Sequence, residues 1–108
     1  MPEGYFNSTT IPYGGRVLRL GVSGDDVLAL QRYLNFISNT YTQIPKVSED
    51  GIFGVGTEAA VVAYKEIFGL DPTPIVSASV WEDITSTYRD LYDGQRASQG
   101  QFPGSSLG

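Results

Sequence analysis

The sequence contains no cysteine and no histidine. Disulfides, thiolate catalysis, Cys/His zinc sites and histidine-based triads are therefore excluded as chemistries of this chain. The missing cysteines leave the compartment open, because a reducing cytosol and an export route without bridges fit equally well. Basic residues are also scarce: seven Lys and Arg stand against twelve Asp and Glu, a formal charge of −5. A nucleic-acid binder needs a basic face to neutralise phosphates, and an anionic membrane surface asks for the same, so both partners are disfavoured. Nothing approaches the ~20 apolar residues of a membrane span. The opening "MPEGYFNSTT" lacks the basic stretch and apolar core of a signal peptide.

What remains is a 108-residue chain that is 41% hydrophobic, with seven tyrosines, five phenylalanines, thirteen glycines and six prolines. That length suits one small domain with loop-rich edges. Residues 1–15 show no period and read as an extended arm. "RVLRLG" (16–21) reads as a short strand-like segment, with Val17 packing beside Leu18 and Leu20. "SGDDVLALQRYLNFIS" then predicts a helix with Ser23 as N-cap and Asp26 completing a capping box. Val27, Leu30, Leu34 and Ile37 recur at spacings of 3, 4 and 3, which aligns them on one face. Asn39 is the expected left-handed terminator.

A second helix is expected from Thr57, with Ala60, Val61, Tyr64 and Phe68 on its inner face and Gly69 as its stop. A third is expected from Ser79 to Gly94, carrying Trp81, Ile84, Tyr88 and Leu91. No strand–helix alternation appears, so the predicted class is all-α: a small three-helix bundle with ordered connecting loops and extended terminal arms. The expected organisation is an arm over 1–15, the helical domain over 16–93 and a linker over 94–108. "YGGRVLRLG" and "FPGSSLG" both run aromatic, glycine, Leu-Gly, so the tail also reads as the start of a second repeat.

The stretch "EDGIFGVGTEAA" (49–60) asks for explanation, since three glycines crowd a helix entry. A phosphate loop would need Lys-Ser/Thr after the glycines, and a dinucleotide fingerprint would need a preceding strand; both are missing. Glu49, Asp50 and Glu58 lack EF-hand spacing and are too few to close a calcium site. Glu49, Asp50, Glu58 and Glu66 could in principle supply a glycosidase pair, but their places beside a turn and on outward helix positions suit capping and solvation. The better reading is a folding plug. Asp50 makes an Asx-type turn, Gly51 takes positive φ, and Ile52 with Phe53 wedges between helices.

"LRLGVSGDDVLALQRYLN", "EDGIFGVGTEAAVVAYKEIFGL" and "VWEDI" together resemble the peptidoglycan-binding domain that accompanies bacterial cell-wall hydrolases. Leu18, Gly21, Gly24, Val27, Leu30, Gln31 and Leu34 fit the family's first block. Asp50, Gly51, Phe53, Gly54 and Thr57 fit the second, and Gly69, Leu70 and Trp81 the third. Val55 stands where the family often has Pro, and Tyr64-Lys65 where it often has Phe-Gln; Pro74 and Ser77 replace its usual glycines.

The resemblance implies a three-helix fold without catalysis or cofactor. It also implies peptidoglycan as the partner, a linked hydrolase or further repeats, and an extracellular, cell-wall or spore-cortex location. An acidic module would hold that polymer by aromatic stacking and neutral hydrogen bonds. The candidate contacts are Tyr33, Phe36, Tyr41, Arg32 and Lys65, with core-edge packing the competing role for the aromatics. The alternative function is a protein-interaction or spacer module that keeps the fold without binding glycan.

Overall fold

Three amphipathic segments become three helices: α1 (Asp25–Ser38), α2 (Val55–Ile67) and α3 (Ala78–Gly100). The computed structural model describes residues 10–100, with side chains as far as residue 94. The predicted stripe of α1, Val27, Leu30, Leu34 and Ile37, is fully buried. It meets Ala60, Val61 and Tyr64 of α2 and Trp81 and Ile84 of α3, while Leu18, Ile44, Phe53 and Val76 enter the same core from the connections. A core this small depends on its large members, and Trp81, Tyr64 and Phe53 are the largest side chains fully enclosed. The Tyr64 hydroxyl reaches across to α3, donating to the Asp83 carboxylate and meeting the Thr87 hydroxyl at 2.7 Å.

The connections are held by backbone pairing without forming a strand among the described residues. Leu18 and Val76 exchange both amide bonds, at 3.0 and 2.9 Å. Gly21 donates to Phe53, Phe53 to Val22, and Gly24 to Gly51, each at 2.9 Å. The segment expected to be strand-like is therefore reduced to a single isolated bridge, at Leu18. Only Leu18 of that segment is buried; Val17 and Leu20 face outward.

Several helix ends differ from the sequence expectation. The N-cap of α1 is Gly24, and no side chain caps it. Asp26 turns instead to Arg16, whose Nε and Nη2 reach its two oxygens at 3.0 and 2.9 Å. A bidentate guanidinium offers a carboxylate more than a single backbone amide does. Asn39 stays right-handed, with φ −66°, and Lys46 closes this end by donating to Asn35 O at 2.9 Å. α2 begins two residues before Thr57, at Val55, behind an extended Gly54. Gly69 does take positive φ (74°) and stops α2 as expected.

α3 passes through Gly94 and continues to Gly100, crossing the expected start of the linker. The "FPGSSLG" echo lies outside the described residues, as do residues 1–9 of the arm. The part of the arm that is described is anchored. Ile11 N donates to the Tyr33 hydroxyl at 3.1 Å, the Trp81 indole donates to Ile11 O at 3.2 Å, and Arg89 donates to Thr10 Oγ1 at 2.9 Å. Among the described residues no helix is long and apolar enough to cross a membrane.

Candidate functional site

The glycine-rich stretch is built around one buried amide, Gln31. Its Oε1 accepts from Asp50 N at 3.0 Å and Gly51 N at 2.9 Å. Its Nε2 faces three acceptors: Asp50 Oδ1 at 3.1 Å, Ile52 O at 2.9 Å and Thr57 Oγ1 at 3.1 Å. Two hydrogens are thus shared among three oxygens, and the side chain's capacity is used up. Asp50 Oδ1 also accepts from Ile52 N at 3.0 Å, which is the Asx turn the sequence predicts. Gly51 has φ +74°, and a Cβ there would sit 3.3 Å from Gly24 O, so glycine is required twice over.

One helical turn later Asn35 repeats the arrangement. It donates to Val47 O at 2.9 Å and accepts from Val47 N at 2.8 Å. Residues four apart share a helix face, so α1 pins the loop at both ends of its 47–52 run.

The plug reading needs one correction. Phe53 is buried, but Ile52 is 56% exposed. In this nearly extended stretch neighbouring side chains point to opposite sides, so only one of the two can enter the core. Ile52 and the 74%-exposed Val55 therefore stand on the surface. A recess of about 130 Å³ lies beside Ile52, between Val47-Ser48 and the glycines Gly54 and Gly56, while Val55 borders a separate depression along α2 with Glu58 and Val62. A second hollow, of about 250 Å³, lies between Gly24-Asp25-Leu28 and Asp50–Ile52.

Asp50 borders both hollows. Bonds from Ile52 N and then Gln31 hold its pKa below the ordinary carboxylate value, so it is an anion at neutral pH. Both bonds fall on Oδ1, leaving Oδ2 as an acceptor for a ligand. The surface thus offers a carboxylate oxygen, the Ser48 hydroxyl and the apolar Ile52 side chain on a rigid frame, with exposed Val55 three residues further on at the start of α2. That suits hydrogen-bond donors such as sugar hydroxyls and amide N–H groups, with apolar contact beside them.

The five residues nominated from the sequence are not gathered into one surface. Arg32 is exposed and lies at the edge of the loop, its Nε 3.5 Å from Glu49. Tyr33 is 8% exposed and packs 4.8 Å from Tyr88 and 5.9 Å from Trp81, ring centre to ring centre. Phe36 is half-buried between Tyr88 and Tyr92, at 5.1 and 5.7 Å. Tyr41 is half-buried against Phe68, at 5.0 Å. Lys65 is 2% exposed and donates to Thr73 O and Oγ1 at 2.8 and 3.0 Å.

Tyr33 is thus enclosed beneath the arm, and Lys65 is withdrawn from the open surface beneath the Pro72–Pro74 connection, where it borders only a hollow with Thr73 and Ser77. Sequence reasoning assigned no role to Gln31, the residue that organises the loop. A signal was present: Gln31 falls four residues after Val27 and three before Leu34, on the buried stripe itself.

No curated protein sequence matches the chain significantly. Among solved structures, the crystal structure of the SleB N-terminal domain superposes with a TM-score of 0.60 at 29% identity, covering 70% of this chain and 97% of that one. A peptidoglycan-binding protein from Clostridioides difficile, solved in complex with glutamine hydroxamate, superposes with a TM-score of 0.59 at 29% identity. There the match covers 70% of this chain and 44% of the other. The family described as "Putative peptidoglycan binding domain" matches residues 23–84, which include α1, the pinned loop, α2 and the start of α3. The chain belongs to this peptidoglycan-binding domain family.

Proposed function

We propose that the domain binds peptidoglycan without cleaving it, through the surface formed by Asp50, Ile52 and Val55 with Arg32 at its edge. The observation that carries this reading is the pair of exposed apolar residues, Ile52 (56% accessible) on the loop locked by Gln31 and Val55 (74%) at the start of α2. A surface already ordered before binding loses little conformational entropy when it engages a polymer. Family membership supplies the polymer's identity.

Electrostatics favours binding over hydrolysis. A glycosidase acid needs its pKa raised by burial, whereas Asp26 and Asp50 are both lowered. Glu49 is tied to Asn35 and Arg32. We further propose that the module delivers a linked hydrolase to the bacterial wall or spore cortex. Likeness to an N-terminal domain, and to a protein of which it spans 44%, supports a module joined to other parts.

Co-sedimentation with purified sacculi tests the binding. The wild-type chain is expected in the pellet. The double variant I52A/V55A is expected to bind about tenfold more weakly, from the apolar contact it loses. Its melting temperature should hardly move, since exposed substitutions typically change stability by about 0.5 kcal/mol or less. Unchanged sedimentation of that variant would remove the proposed surface. A folded wild-type chain left in the supernatant would favour the spacer reading.

A further inference from the structure

A third hollow, of about 290 Å³, lies where the connection from α2 turns into α3; Lys65, Asp71, Thr73, Ser77 and Ser79 line it together with the apolar Leu70, Ile75 and Val80. It is remote in sequence from the Asp50 surface and shares no lining residue with it. Its unusual member is Lys65, a cation that is 2% exposed. Buried ammonium groups are ordinarily paired with a carboxylate, because the lost hydration must be offset. The ion pairs among the described residues are Arg16–Asp26 and Arg32–Glu49, so Lys65 has no such partner among them. Thr73 accepts two of its bonds, through O and Oγ1, while an ammonium carries three donors. Asp71, itself part of the lining, is close enough to favour the charged form of Lys65 but lies outside ion-pair distance, so it does not take the place of a bound counter-ion.

The rest of the hollow complements that cation. Thr73 stands between Pro72 and Pro74, whose rings fix the local backbone, so its carbonyl and hydroxyl are set in place beforehand. The Ser77 and Ser79 hydroxyls lie at an exposed position, 3.3 Å apart. Ile75 and Val80 add an apolar wall large enough for a methyl-sized side chain.

We infer that this hollow is a subsite for the free carboxylate end of a short peptide with a small apolar terminal residue, with Lys65 supplying the counter-charge. The carboxylate would complete the third donor of Lys65 and take hydrogen bonds from Ser77 and Ser79. Ile75 and Val80 would cover the terminal side chain. The inference rests on the peptidoglycan reading for the source of the ligand, since that polymer carries short peptides with free carboxylates. The subsite's chemistry does not depend on it. Burial lowers the pKa of Lys65, and a bound carboxylate would oppose that shift.

The test is an amide-resolved NMR titration of the whole 108-residue chain with N-acetyl-alanyl-alanine, its C-terminal amide and sodium acetate at equal ionic strength. The peptide acid is expected to shift the backbone amides of Thr73, Ser77 and Ser79 saturably. The peptide amide should bind about tenfold more weakly or worse, having lost a charge-assisted bond. K65Q should weaken the acid by a similar factor and leave the amide unaffected. S77A/S79A, at the exposed mouth, should weaken the acid by about threefold and stands in if K65Q does not fold.

Equal binding of acid and amide, an unchanged titration in K65Q or in S77A/S79A, or shifts confined to other residues would overturn the subsite. Acetate binding as tightly as the peptide acid would overturn its preference for a peptide. A silent hollow in a chain that still sediments with sacculi would remove the subsite and leave the Asp50 surface standing. Saturable binding here without sedimentation would do the reverse.

Discussion

Gln31 shows how much a single side chain can decide in a small domain. It is 1% exposed, and its amide joins α1 to Asp50, Gly51, Ile52 and Thr57. Four of these five residues belong to the family's sequence blocks, so the motif is largely a description of one hydrogen-bond hub. Leucine at this position would keep the volume and leave the buried Gly51 N–H without an acceptor. We expect Q31L to lose about 2–4 kcal/mol in urea unfolding, from several stranded polar groups at once. A loss below about 0.5 kcal/mol would mean that the loop holds itself without the hub. Sequence inspection read Asp50 and Gly51 correctly, because an Asx turn and a positive-φ glycine are local features. It placed Gln31 in the family's first block without giving it a structural role, since its partners are 19 to 26 residues away.

At the scale of the elements, periodicity located all three helices, since apolar spacing reports directly which face is buried. The helix ends were less legible, because each is settled by a partner from elsewhere in the chain. The start of α1 is the clearest case. Ser23 and Asp26 look like a capping box, yet Asp26 is held by Arg16, ten residues earlier.

That pairing carries a pH signature. Hydrogen bonding from Arg16 is the largest influence on Asp26 and draws its pKa below the reference value of 3.8. A carboxylate whose folded pKa is depressed stabilises the fold above its unfolded pKa, and the contribution disappears as pH falls through the folded value. Wild-type melting temperature should therefore decline below about pH 4, and D26N should start lower at neutral pH and decline less. Asp50 is lowered in the same direction, so some acid sensitivity should persist in D26N. Parallel curves for the two proteins between about pH 7 and pH 2 would show that the ion pair contributes nothing.

Over the whole molecule, the described structure extends beyond the family match at both ends. Thr10–Tyr13 lie across α1 and α3, held by the Tyr33 hydroxyl, the Trp81 indole and Arg89. The Tyr13 ring adds a tilted contact with Trp81, 6.4 Å between centres. Deleting residues 1–13 should cost about 2–3 kcal/mol, roughly 1 kcal/mol for each hydrogen bond lost. Because Trp81 is the sole tryptophan, its fluorescence should shift to the red as water reaches the indole. An unshifted spectrum and unchanged melting would show that the strap adds nothing to the domain. The same strap explains why Tyr33, nominated as a ligand contact, is enclosed: a side chain off one helix's apolar stripe can still be buried by a third element.

The sequence by itself determined the number of helices, their inward faces, the Asx turn at Asp50 and the stop at Gly69. It also excluded chemistries that need cysteine or histidine. These are properties of residue type and of neighbours within about one or two helical turns, which the chain encodes locally. Tertiary structure alone decided that Ile52 faces out while Phe53 faces in, that Lys65 is buried with no ion-pair partner among the described residues, and that Tyr33 lies beneath the arm. Each depends on which distant segment arrives at the same place, and no local pattern carries that information.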